Sequence, residues 1–196
     1  MNFLHLSIAL MGILVATGNI LPATGTPATS TFIAQKSDRD LLEQGQAQFR
    51  NHDYQGAIEK FSQAIANDPN NSRAYFLRGL ARTLLKDDQG AIEDFTEIIR
   101  LEPNNANAYF LRGVARTSLT QHQGALEDLT VTIRLDPNNA NAYLVRGLIR
   151  ASAGEQEVAI TDVQTAANLY RQQGDTARYQ KTVQILREEF KVNVAE

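Results

Sequence analysis

The chain contains no cysteine and no tryptophan. Without Cys there is no disulfide framework, no thiol nucleophile, no cysteine metal site and no lipid attachment through an N-terminal cysteine. That absence suits an oxidising compartment as well as a reducing one. Proline is scarce, with five in 196 residues. Neither sign of charge dominates: 19 Lys and Arg stand against 22 Asp and Glu, for a net charge of -3. The basic excess of a nucleic-acid-binding face is therefore missing. Charged side chains are absent altogether from residues 1–34, and the first ionic residue after His5 is Lys36. No apolar run reaches the length of about 20 residues that a membrane-spanning helix needs.

The longest such run, "FLHLSIALMGILVA" at 3–16, has 14 residues. That is the length of the apolar core of a secretory signal. Small residues follow it, and cleavage after Gly18, Ala28 or Ala34 would fit them. The segment ahead of the run lacks the Lys or Arg usual in such signals. Residues 1–34 are expected to be a signal peptide plus linker, which makes the protein exported, to the periplasm or another extracytoplasmic compartment. The alternative is an uncleaved N-terminal anchor holding a structural subunit to the membrane. "LPATG" at 21–25 has the form of a sortase motif but lies at the wrong end of the chain for one. It reads as Pro/Thr/Ala-rich linker.

What the sequence has in abundance is repetition. "DPNNSRAYFLRG" at 68–79 returns as "EPNNANAYFLRG" at 102–113 and "DPNNANAYLVRG" at 136–147, a period of 34 residues. Each copy holds two helical stretches. In the second stretch of one copy, Ala91, Ile92, Phe95, Ile98 and Ile99 fall on one face of a helix. Pro103 with two Asn ends it, because Pro cannot continue a helix and Asn tolerates turns.

This helix–turn–helix period resembles the tetratricopeptide repeat. The positions that carry the resemblance are Tyr75, Gly79, Ala91, Phe95 and Pro103, then Tyr109, Gly113, Ala125, Leu129 and Pro137. Gly45, Ala57, Phe61 and Pro69 hold them in the first copy, and Tyr143, Gly147, Ala159 and Val163 in the fourth. Arg171 stands where the fourth Pro would be. The resemblance implies an all-α, right-handed α-solenoid over 38–171, with repeats at 38–71, 72–105, 106–139 and 140–173. Residues 174–196 are expected to form a C-terminal capping helix and tail, capped by Asp175 or Thr176 and striped by Tyr179, Val183, Leu186 and Phe190.

Two Arg recur four residues apart where the family pattern expects Leu and Tyr: Arg78 and Arg82, Arg112 and Arg116, Arg146 and Arg150. The second helix of each of those repeats carries Asp94, Asp128 or Asp162. Repeat one lacks both features, having Gln44, Gln48 and Lys60 at the same places. Arg and Asp thus appear and disappear together, which predicts structural ion pairs Arg78–Asp94, Arg112–Asp128 and Arg146–Asp162. The alternative is an anion-binding ladder. The second Arg of each helix is expected to reach solvent.

The family implies a concave face lined by first helices. The matching residues are Phe76, Leu80 and Thr83; Phe110, Val114 and Thr117; Leu144, Leu148 and Ala151, with Leu42, Gln46 and Phe49 in repeat one. An apolar row of this kind suits an extended or helical peptide, and Phe110, in the middle repeat, is expected to matter most. The Lys, Asn and Arg of carboxylate-clamping grooves are mostly missing at these places. His52 and His122 are assigned to short interhelical turns. No catalytic motif, metal-ligand spacing or cofactor fingerprint occurs. The sequence therefore points to a non-catalytic scaffold or assembly factor with a protein or peptide partner, no cofactor, no metal and no nucleic acid.

Overall fold

The computed structural model describes residues 29–192, with side chains from Arg39 onward. Among the described residues there are nine helices and no strand. They divide between two compact units that meet in sequence at Glu102 and Pro103.

The first unit holds α1 (Thr29–Arg50), α2 (Tyr54–Asn67), α3 (Ser72–Leu84) and α4 (Asp88–Leu101). α1 packs on α2, α2 on α3 and α3 on α4. α1 starts at Thr29, nine residues ahead of the expected start of repeat one and inside the stretch read as linker. The apolar run at 3–16 lies outside the described residues.

The second unit holds α5 (Ala106–Ser118), α6 (His122–Leu135), α7 (Ala140–Ser152), α8 (Gln156–Gln172) and α9 (Thr176–Glu188), again packed in consecutive pairs. α8 runs 17 residues against 14 for α6, because no Pro stops it at the usual corner. It ends before Gly174, whose φ of 73° only glycine adopts freely. His122 is the first residue of α6 and not part of the turn. Phe190 lies beyond the end of α9 and is half-buried.

The sequence marks six of the nine described helix starts with a capping side chain. The side chains of Asn71, Asn105 and Asn139 each accept a hydrogen bond from the backbone N–H three residues on, capping α3, α5 and α7. Asp53, Asp87 and Asp175 do the same for α2, α4 and α9. Gln121 and Glu155 cap nothing with their side chains.

Close helix contact explains the Gly and Ala positions. A Cβ on Gly79 would stand 2.7 Å from the Phe95 ring, and one on Gly147 would stand 2.8 Å from Val163. Ala57, Ala91, Ala125 and Ala159 are fully buried. Phe61 and Phe95 fill the first unit's core, and Leu129, Val163 and Tyr170 the second's. Each such side chain contributes about 1.5–3 kcal/mol by leaving water.

Candidate interaction site

Helix pairing brings Arg78 and Arg82, four residues apart on α3, against Asp94 on α4. Arg78 holds the carboxylate in a fork: Nη2 lies 2.6 Å from Oδ1, and Nε lies 3.1 Å from each oxygen. Arg112 repeats the fork on Asp128 at 2.9 and 2.7 Å, and Arg146 on Asp162 at 2.9 and 2.7 Å. The three carboxylates are buried. Every fork closes between side chains sixteen residues apart.

The second arginines do not simply reach solvent, which corrects the sequence reading. Arg82 Nη1 lies 3.0 Å from Asp94, and Arg116 and Arg150 lie 2.8 Å from Asp128 and Asp162. Arg82 and Arg116 also donate to the carbonyls of Gly90 and Gly124. A buried carboxylate retains lone pairs beyond one fork, and a second guanidinium four residues on is the nearest donor. The carboxylate itself thus fills the place that a bound anion would take.

Two further contacts were not foreseen. Arg78 donates its Nη1 to Ser62 on α2, and Arg146 donates its Nη1 to Thr130 on α6, so each of these two also ties its repeat to the preceding one. The signal was present as a hydroxyl sixteen residues before each of these two Arg. Each guanidinium also lies 5.6 Å from a tyrosine ring three residues earlier, at Tyr75, Tyr109 and Tyr143. In repeat one, Gln48 donates to Asp53 instead, while its Oε1 is buried without a partner.

Burial pushes the Asp94 carboxyl above its ordinary 3.8, with Arg78 and then Arg82 pulling the other way. The folded chain therefore holds this proton more tightly than the unfolded one. Acidification just above that value favours folding as far as Asp94 is concerned.

The first-helix faces differ between the units. In the first, Leu42, Gln46 and Phe49 on α1 and Phe76, Leu80 and Thr83 on α3 are all half-buried. In the second, Val114 and Thr117 are half-buried, but Phe110 is only 9% exposed and Leu144 and Leu148 only 7%. The structure thus takes Leu144 and Leu148 out of the open row, because α7 is packed by α5, α6 and α8. Phe110 is likewise mostly core. Thr83 and Thr117 bond carbonyls of their own helices, at Gly79 and Gly113, and do not offer their hydroxyl hydrogens outward.

Paired helices with buried Arg–Asp–Arg clusters between them, small residues at the crossings and side chains left half-open on one face define a helical-repeat interaction scaffold. The tetratricopeptide-repeat family model matches residues 42–106, and the fold is similar to that of solved tetratricopeptide-repeat domains. No curated protein matches it in sequence. The crystal structure of MamA protein superposes with a TM-score of 0.66 at 21% identity, covering 83% of this chain and all of that one. The first tetratricopeptide domain of Spaghetti (RPAP3), bound to the HSP90 peptide SRMEEVD, gives 0.58 at 27% identity over 61% of this chain and 94% of that one. The second tetratricopeptide domain of human RPAP3, in complex with the HSP70 peptide SGPTIEEVD, gives 0.55 at 28% identity over 61% and 97%.

Proposed function

We propose that this chain is a non-catalytic scaffold that captures a protein segment on its first-helix faces, outside the cytoplasm. The observation that carries the reading is the half-buried apolar set on α1 and α3, Leu42, Phe49, Phe76 and Leu80. Apolar side chains left partly open along neighbouring helices suit an extended or helical peptide anchored by its own apolar groups. Peptide-bound structures of similar fold and 27–28% identity support the class of partner. The extracytoplasmic location is supported by the apolar run at 3–16 and the charge-free stretch to residue 34. Among the described residues no helix is long and apolar enough to cross a membrane.

Phe76→Ala should weaken capture of partners from envelope extract by about tenfold or more, the scale of one lost apolar anchor. Circular dichroism should stay near wild type. Glu127, exposed on the second helix of its repeat, is the control for Glu127→Ala. Unchanged capture in Phe76→Ala would sink the groove reading. Amino-terminal sequencing of the exported protein decides between a cleaved signal, with a start between Asn19 and Lys36, and the uncleaved anchor.

A further inference from the structure

The interhelical site that repeats two, three and four close with an ion pair is built differently in repeat one. Gln44 and Gln48 stand on α1 where Arg78 and Arg82 stand on α3, and Lys60 stands on α2 where Asp94 stands on α4. Two amides and an ammonium cannot form an ion pair, and the ammonium offers nothing for the amide N–H groups to donate to. Gln44 is exposed, Gln48 and Lys60 are half-buried, and Gln48 Oε1 is buried without a partner. A buried acceptor left unmet weakens the docked state. At the other end of the chain, α9 fills the same two places with Thr182 and Leu186, both buried.

The polar stitches of the first unit therefore run through α2, α3 and α4 and leave α1 out. Arg78 joins α3 to α4 through Asp94 and reaches back to Ser62 on α2 at 3.0 Å. Arg82 adds a second contact to Asp94. α1 meets α2 by apolar packing: Gly45 lies against the fully buried Phe61 ring, and Phe49 packs edge-on against Tyr54 at 5.3 Å. Gln48 donates to Asp53 across the turn between the two helices, a bond that stays local when the helices part.

We propose that α1 is a gate on the scaffold: it undocks from α2 as one unit while α2, α3 and α4 stay folded. Proteins open locally in cooperative units, and the least tied element opens first. Opening carries Leu42 and Phe49 away from Phe76 and Leu80, so the half-buried apolar set is whole only while α1 is docked. A segment that touches both α1 and α3 binds the docked state better and shifts the population toward it. That consequence rests on the reading of the chain as a peptide-binding scaffold, whereas the opening of α1 does not.

The test is native-state hydrogen exchange, read by mass spectrometry on the full chain without a partner. Amides of residues 41–50 should share one protection factor, at least about tenfold below that of α3. Gln44→Arg with Gln48→Arg and Lys60→Asp copies the cluster of repeat two into repeat one and should raise that protection about tenfold. Gly45→Ala should lower it and leave α3 and α4 unchanged, because the added Cβ would stand 2.5 Å from the Phe61 ring. Protection equal to that of α3, protection that decays residue by residue toward Thr29 as end fraying does, or a Gly45→Ala loss spread evenly over α1 to α4 overturns the proposal. So does a folded triple variant whose α1 exchanges as wild type; should that variant not fold, Gly45→Ala decides by itself. Because no partner is present, any of these failures leaves the Phe76→Ala capture experiment to judge the binding face.

Discussion

Arg78, Arg112 and Arg146 each meet a carboxylate and a tyrosine face from one side-chain position, which is why Arg and not Lys fits there. A planar fork reaches both oxygens of an Asp, whereas an ammonium is a point charge. Asp128 is also held by Arg116, so Arg112→Leu alone should cost about 2–3 kcal/mol, less than complete loss of a buried pair. Arg112→Leu with Arg116→Leu should cost about 3–5 kcal/mol, and adding Asp128→Ala should restore much of it. Urea unfolding of the double-mutant cycle checks this, and a coupling near zero between Arg112 and Asp128 would refute the pairing. A second residue-level feature recurs with the repeat. His52, Lys86 and Thr120 all have φ near 60°, and Gly154 takes the same place at 85°. A β-branched residue is the least suited to that region. Thr120→Gly is therefore expected to stabilise the fold by about 1 kcal/mol. For a chain of this size the melting temperature should rise by about 2–4 °C, measurable by calorimetry.

The repeat is two helices with an Asn or Asp cap and a small residue at the crossing, and the elements differ mainly at the end. α8 outruns the usual corner, and its Tyr170 is buried at the point where α9 folds back. The phenol donates to Asn141 Oδ1 on α7, and Arg178 of α9 lies 6.0 Å from the ring. One tyrosine thus joins α7, α8 and α9. Burial pushes its hydroxyl up to about 12, with Asp175 adding to the rise and Arg178 opposing it. A raised folded value means that the stabilisation is complete below the ordinary 10.0 and disappears as pH climbs through 12. Wild type should therefore lose stability across that alkaline window more steeply than Tyr170→Phe. At neutral pH the variant should be about 1 kcal/mol weaker, since Asn141 loses its donor. Denaturant titrations at a series of pH values report both effects. Equal alkaline slopes would remove Tyr170 from this role.

At the scale of the whole chain, the folded part begins earlier than the repeat pattern alone suggests. α1 starts at Thr29. A chain beginning at Thr29 should unfold in urea with the midpoint and slope of the full-length protein. A chain beginning at Lys36, which removes the first two turns of α1, should unfold at lower urea. If removing residues 1–28 itself lowers the midpoint, that segment contributes to the fold. The first-helix faces also differ from one unit to the other. The first keeps Leu42, Phe49, Phe76 and Leu80 half-buried on α1 and α3, and the second covers Phe110, Leu144 and Leu148 while Val114 stays half-buried.

Sequence alone determined the period, the helix pairs, the cap at Asp175 and the pairing of Arg with Asp. These follow from local rules: Pro and Asn end helices, small residues mark crossings, and a charge that comes and goes with its opposite betrays a partner. The capping helix was legible for the same reason, since Arg171 in place of Pro lets α8 run on. Tertiary structure decided the matters that depend on who else is nearby. Arg82, Arg116 and Arg150 turned inward because a buried carboxylate has room for two guanidiniums, which spacing cannot reveal. Ser62 and Thr130 became donor targets only once neighbouring repeats packed. Phe76 and Leu144 occupy the same place in their repeats, yet one stays half-open and the other is covered. Exposure belongs to the neighbours on every side of a helix, and a repeating sequence assigns those neighbours equally to all its copies.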